Sequence, residues 1–447
     1  MSSVNELTRA RPRTLAVASS APLLVLTNYT VPMVTLPQTA SSLGAGPTGP
    51  VWMLGGISLG LSALLLVSGG LADDHGRRRV LVWGAAVLAV SVTVTALSTS
   101  VPVFVLARVV QGGASAAMLA ASLAIVGHAF PSGSERMRAT AGYGAMIGLG
   151  TALGPLVSGA LATAVSWRAV YWLLAACALA LAVVSFRELE ESRSAEPRRF
   201  DVPGVVLLSL GVAALVAGVT EGRAGWGRPV VIMAFAAAAV LVAAFVAVER
   251  GRSEPLLDLG LFRRPVFLVA TGGALVVGAA VVGLLSYLPT VLQNAHGLTP
   301  LQAGLLFCVW SGTSFAMSLL SRFVRLRTAA RLALGLGLTA AGFAALLGVG
   351  GTLSLPLVIG GLLVSGAGSG LINSSITHLA IESVPVHRVG MGSGANNTAR
   401  YVGSSLGAAG VAAVVGAYGA ERGTTIAVAG CVTLAAVTAL AALLTRP

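Results

Sequence analysis

The sequence predicts an all-α polytopic membrane protein, and three observations carry that fold class. Hydrophobic residues make up 56% of the 447-residue chain and charged ones only 10%, against roughly 25% charged in soluble domains. That charge sits in short islands between apolar runs of about 18 to 30 residues, the length of helix that crosses a bilayer. Alternate islands hold nearly all of the positive charge, as expected of loops that fix orientation.

Taken in order, fourteen runs qualify: 15–39, 51–72, 80–98, 102–128, 139–162, 168–186, 203–220, 229–248, 265–293, 301–321, 330–349, 355–380, 390–418 and 424–444. All 28 basic residues are Arg. Arg168, Arg223, Arg228 and Arg422 fall on one side of the bilayer, and Arg108 and Arg400 within runs. The remaining 22 lie on the other side, in the two ends of the chain and the even-to-odd links. Positive short loops mark the cytoplasmic face, so both termini are expected inside. The tail 1–14, with Arg9, Arg11 and Arg13, reads as retained rather than as a cleaved signal. The net charge of +13 is then orientation information, and no nucleic-acid partner is implied. The 56 glycines suit close packing of membrane helices. Cys177, Cys308 and Cys431 all fall inside apolar runs and read as buried small hydrophobes rather than disulfides or metal ligands. Without any Lys there is no G-x-x-x-x-G-K-[ST] phosphate loop. No cofactor, no metal site and no enzymatic nucleophile–base pair is expected.

An internal repeat organises the runs. Gly112 and Pro131 recur 254 residues later as Gly366 and Pro385. Arg138, Gly142, Gly144 and Ala145 recur at a spacing of 250 as Arg388, Gly392, Gly394 and Ala395. The expected organisation is a six-helix bundle at 15–187, a linker at 188–202 read as a solvated charge run, an inserted hairpin at 203–249, a second linker at 250–264 and a second six-helix bundle at 265–447.

The link Gly69–Arg79 reads G-G-L-A-D-D-H-G-R-R-R. Through Gly69, Leu71, Asp73, Gly76, Arg77, Arg78 and Leu81 it resembles the signature loop of the major facilitator superfamily, with Asp74 where a basic residue is usual. Phe200-Asp201-Val202-Pro203-Gly204, Thr220-Glu221-Gly222 and Glu249-Arg250 resemble the extra helix pair of fourteen-helix drug:proton antiporters in that superfamily. The resemblance implies two six-helix bundles plus a two-helix insertion, working about a site near the midplane. Gly150, Gly154, Pro155 and Gly159 resemble its exporter motif G-x-x-x-G-P-x-x-G-G, with Ser158 replacing one glycine. Small residues let helices approach and the proline bends the helix. These four, with Gly69, Asp73, Gly76, Arg77 and Arg138, are the expected gate. Asp73 is expected to latch onto a helix N-terminus or a nearby arginine such as Arg136 or Arg138.

Asn28-Tyr29-Thr30 through Leu36-Pro37 resembles D-x-T-x-V-N-x-A-L-P, with Asn28 in the place of the usual aspartate. Arg108 and Gln111 match R-x-x-Q-G; Asn397, Arg400 and Gly403 match N-x-x-R-x-x-G, with Asn396 and Tyr401 beside them. Tyr287 and Gln293 follow from the equivalence of Leu36-Pro37 with Leu288-Pro289, and Asn373 from a polar face of run 12. These residues are the expected lining of a substrate site. Asn cannot titrate, and no acid falls in the middle third of a run, which leaves Glu221 and His378 as candidates for a coupling proton. Amides, hydroxyls and two arginines favour neutral, zwitterionic or anionic amphipathic substrates.

The expected function is export of small amphipathic, antibiotic- or drug-like molecules from a bacterial plasma membrane by a monomeric carrier, with lipid, substrate and protons as partners. Proton antiport is what the resemblance implies. Asn28 keeps a second reading open, a proton-independent carrier of an anionic metabolite or lipid-like molecule.

Overall fold

The computed structural model describes residues 2–130, 133–193, 201–222, 225–252, 257–382 and 389–444; side chains of 2–11, 66, 69, 73, 377, 380–382, 389–390 and 444 lie outside that description. The first bundle contains α1 (Ser2–Ser42), α2 (Gly49–His75), α3 (Arg77–Leu97), α4 (Val101–Ala129), α5 (Gly133–Ala164) and α6 (Trp167–Glu188). Then come α7 (Val202–Gly222) and α8 (Pro229–Arg250). The second set contains α9 (Pro265–His296), α10 (Pro300–Leu320), α11 (Thr328–Ala344), α12 (Leu355–Glu382), α13 (Val389–Tyr418) and α14 (Ala420–Leu444).

Against the fourteen spans expected, twelve helices among the described residues are long and apolar enough to cross a membrane; the described apolar stretches of α2, Gly49–Leu65, and of α11, Thr328–Ala344, are shorter. The segment read as a tail is also helical, since α1 starts at Ser2. Residues 2–11 contain neither Gly nor Pro, so nothing stops the helix there.

Short links between helices follow local chemistry. Gly297 ends α9 in the left-handed conformation, φ 65°, which glycine adopts without strain. Two residues later a capping box opens α10: Thr299 Oγ1 accepts from Gln302 N at 3.2 Å, and Gln302 Oε1 accepts from Thr299 N at 2.9 Å.

The repeat has a packing counterpart. In the first set α2 packs on α4, α3 on α4 and α6, and α1 on α5; in the second, α10 packs on α12, α11 on α12 and α14, and α9 on α13. Gly112 shows the cause. A Cβ there would collide with Ile57 O, so α4 rides directly on the backbone of α2. Its repeat partner Gly366 would place a Cβ 2.5 Å from Trp310 O, and α12 rides on α10 in the same way. The α9–α13 contact is equally close: a Cβ on Gly278 would meet Arg400 O, and one on Gly407 would meet Ala279 O. Here α9 widens into a π-helical turn, Val277–Val282, a local rearrangement often found at functional sites.

The two sets meet along α5–α10, α2–α13 and α1–α9. The hairpin α7–α8 lies beside the second of these seams, with α7 against both α2 and α13. Trp52 Nε1 of α2 donates to Glu221 Oε1 at 3.1 Å, and Arg228 Nη1 lies 3.7 Å from Glu221 Oε2. At the other end Phe245, Leu257 and Leu261 share a small core with Phe267 of α9 and Ala395 of α13. The hairpin is thus attached to both sets.

Cys177 is exposed, Cys308 half-buried and Cys431 buried, all as free thiols. The expectation of burial fails for Cys177 because its face of α6 is not covered by another helix; Trp172, Leu173 and Leu179 are exposed with it.

Candidate functional site

Arg108 is the largest fully buried side chain on α4, with 0% exposure. A guanidinium inside a membrane helix is costly, up to about 2.5–3.5 kcal/mol at the helix centre on insertion scales, so its acceptors matter. Nη1 donates to Asn28 O at 3.0 Å, Asn28 Oδ1 at 3.2 Å and Gln111 Oε1 at 2.9 Å, and Nη2 donates to Tyr29 O at 3.4 Å. The backbone carbonyl of Asn28 is available because Pro32 of α1 has no N–H to return to it. Gln111 is oriented in turn by α3: its Nε2 donates to Ser91 O at 3.2 Å and Thr95 Oγ1 at 2.6 Å, which turns its oxygen toward Arg108.

The cluster continues across the seam. Tyr29 OH shares hydrogen bonds with Ser58 Oγ of α2 at 3.1 Å and Ser404 Oγ of α13 at 2.8 Å. Its ring meets Tyr401 edge-on, 5.7 Å between centroids. The Arg400 guanidinium lies 5.4 Å from the Tyr401 ring centre, and its Nη2 donates to Asn397 Oδ1 at 3.0 Å. The structure therefore joins Asn28, Tyr29, Arg108, Gln111, Asn397, Arg400 and Tyr401 into one polar chain spanning both sets of helices.

Other expected lining residues lie elsewhere. Thr30 bonds its own helix at Leu26 O, 3.0 Å, and packs against Gly154 of α5. Asn396 turns to α9, donating to Ala270 O at 3.0 Å. Tyr287 is buried in α9. Gln293 Nε2 donates to Val34 O at 2.8 Å, tying α9 to α1. Asn373 and His378 are exposed on α12. Glu221 sits at the end of α7 with Trp52 and Arg228, outside the Arg108 cluster.

Of the gate residues, Gly150 and Gly154 carry α5 onto α1, where Cβ atoms would meet Leu23 O and Thr27 O. Gly159 and Pro155 face α10 instead. A Cβ on Gly159 would come 2.6 Å from Pro300 O, and Pro155 O lies against Gly304. One helix thus serves both a contact within its own set and a seam between sets. Arg138 is exposed at the start of α5. The Gly69 and Asp73 side-chain positions fall outside the described residues, and so does any latch made by Asp73.

An anion does sit at the N-terminus of α3, and it comes from the linker. Glu191 Oε1 accepts from Arg78 N at 3.1 Å, and Glu191 Oε2 lies 3.8 Å from Arg78 Nε and 3.6 Å from Arg79 Nε. Arg77 N donates to Ser192 O at 3.0 Å. Gly76 adopts φ 105°, and a Cβ on it would meet the Glu191 carboxylate. The stretch 189–192, read as solvated, is docked because its carboxylate answers the unpaired N–H groups that open α3. Ser58, Ser91, Thr95 and Ser404 were also missed. Ser404 had a signal, since it lies four residues from Arg400 and shares its helix face.

The Major Facilitator Superfamily model matches residues 19–408. The chain is 32% identical over 92% of its length to the multidrug resistance protein Stp of Mycobacterium tuberculosis, covering 77% of that protein. It is 29% identical to the tetracenomycin C resistance and export protein of Streptomyces glaucescens, over 90% of this chain and 75% of that one. Identity to the puromycin resistance protein of Streptomyces alboniger is 32%, over 92% and 84%. Among solved structures, the human organic anion transporter MFSD10 superposes with a TM-score of 0.63 at 20% identity, covering 96% of this chain and 99% of that one.

Proposed function

Because the chain belongs to the major facilitator superfamily, we propose that it is a drug-efflux transporter, exporting small amphipathic molecules across a bacterial plasma membrane by alternating access. The relatives named for multidrug, tetracenomycin C and puromycin resistance support the substrate class. The observation that carries the reading is the polar chain from Arg108 through Tyr29 to Ser404, which crosses between the bundles in the middle of the apolar mass. Rocking of one bundle against the other must break or remake it.

In this reading all fourteen helices cross the bilayer, as two bundles, 15–187 and 265–447, plus the hairpin 203–249. The arginine-rich face carrying Gly69–Arg79 is cytoplasmic, with both termini. Gly159–Pro300 and Gln293–Val34 then hold the outer ends together, while Arg138, Asn373 and His378 are exposed toward the cytoplasmic side. The conformation is inward-facing. Tyr29, Tyr401, Asn397 and Arg400 contact substrate, with Asn28, Gln111 and Arg108 as the deeper part of the same site.

A proton-independent carrier of an anionic metabolite or lipid-like molecule is the second reading, and Asn28 favours it, because the amide cannot carry a coupling proton. One experiment tests both. Proteoliposomes containing the full chain are assayed for transport of puromycin and tetracenomycin C with and without an imposed pH gradient. Gradient-driven accumulation supports antiport, drug transport indifferent to the gradient supports a proton-independent drug exporter, and no movement of either compound rejects the drug class and leaves the second reading.

A further inference from the structure

We infer that the Asn28–Arg108 cluster binds an acceptor anion, supplied either as a small inorganic ion or as a carboxylate on the exported molecule. Arg108 is fully buried, and its four hydrogen-bond acceptors are neutral oxygens on Asn28, Gln111 and Tyr29. Its charge is therefore solvated by dipoles and not cancelled. Arg108 Nε and Asn28 Nδ2 are also buried, and neither meets a hydrogen-bond partner among the described residues. Both groups donate and cannot accept.

The surroundings enforce this polarity. Ser91 O and Thr95 Oγ1 hold the Gln111 amide so that only its oxygen faces the guanidinium. Asn28 likewise gives its Oδ1 to Nη1, which leaves Nδ2 as its free face. An uncompensated cation beside spare donors is costly in an apolar interior. Water would satisfy the donors and leave the charge. An anion answers both, through charge-assisted bonds.

The carboxylate source rests on the exporter reading; anion binding itself is measurable without transport. The purified full chain in lipid nanodiscs is titrated with chloride against gluconate at constant ionic strength, and separately with benzoate, following Tm. A saturable rise with chloride assigns a free ion, a rise with benzoate alone assigns a carboxylate, and a rise with both assigns a site shared by the two. Asn28→Asp puts a carboxylate of the chain's own beside the guanidinium and should weaken the response by about tenfold or more. Because Asn28→Asp retains Arg108, circular dichroism and Tm in gluconate verify that it is folded; Arg108→Gln, where it folds, should also lose the response. A flat Tm with both probes, or an Asn28→Asp variant responding as the parent does, overturns the inference. Export of puromycin with a flat anion response sinks the anion site and spares the exporter; an anion response without export does the reverse.

Discussion

Replacing Gly159 by alanine adds one methyl group at the α5–α10 seam. That Cβ would lie 2.6 Å from Pro300 O, 2.9 Å from Pro300 C and 3.0 Å from Leu301 Cα. All three are backbone atoms, so no side chain can swing aside. Ordinary contact begins at 3.4 Å, and α10 must retreat by about 0.8 Å. Overpacking of this kind costs about 1–3 kcal/mol, a roughly 5- to 150-fold change in a two-state equilibrium. The cost falls on the state in which these ends of α5 and α10 touch. Spin labels at positions 165 and 294, both exposed, on a background lacking the three cysteines, would report the distance across that seam. Gly159→Ala should shrink the short-distance population severalfold. Gly144→Ala is the control, since no heavy atom lies within 4 Å of a Cβ there and the gain in helix propensity is the same. Identical distance distributions for the two variants would refute the claim that this glycine sets the balance.

Glu191→Gln should cost about 1 kcal/mol at the N-terminus of α3 and speed amide exchange at residues 77–80 roughly fivefold; unchanged exchange would remove the docking role given to the linker. Tyr29→Phe deletes the hydroxyl bonded to Ser58 and Ser404, a loss of about 0.5–1.5 kcal/mol per bond. Puromycin export in proteoliposomes should slow, and an undiminished rate would mean that the bridge is idle. Trp52→Phe removes one of the two contacts that hold Glu221. Hydrogen exchange at the end of α7 should rise while export persists; a loss of export would show that the hairpin does more than accompany α2.

The parts legible in the sequence were those written in one helix at a time. Gly112 and Gly366, equal in spacing and setting, each carry one helix onto another's backbone, and Gly150 and Gly154, read as close contacts, lie on α1, while Gly159, taken from the motif, lies on α10. What escaped is chemistry between segments far apart in the chain. Glu191 lies more than a hundred residues from Arg78, and nothing periodic in E-L-E-E-S announces an anion bound to a distant helix end. Thr30 was assigned to the lining by its motif, but its hydroxyl satisfies its own helix, a common fate of Thr in apolar surroundings. Burial of Cys177 was inferred from hydrophobic neighbours, a rule that fails where lipid replaces protein on the outer face of a helix.

The attachment of α7 across α2 and α13 makes the two flanks of the molecule unequal. The two sets of helices meet along a seam on either flank, α2–α13 on one and α5–α10 on the other. On the first flank α7 is laid along the seam as an extra rod, fastened at one end by Trp52 and Glu221 and wedged at the other among Phe245, Leu261 and Phe267. Any parting of α2 from α13 must therefore either carry α7 along with one of them or shed it.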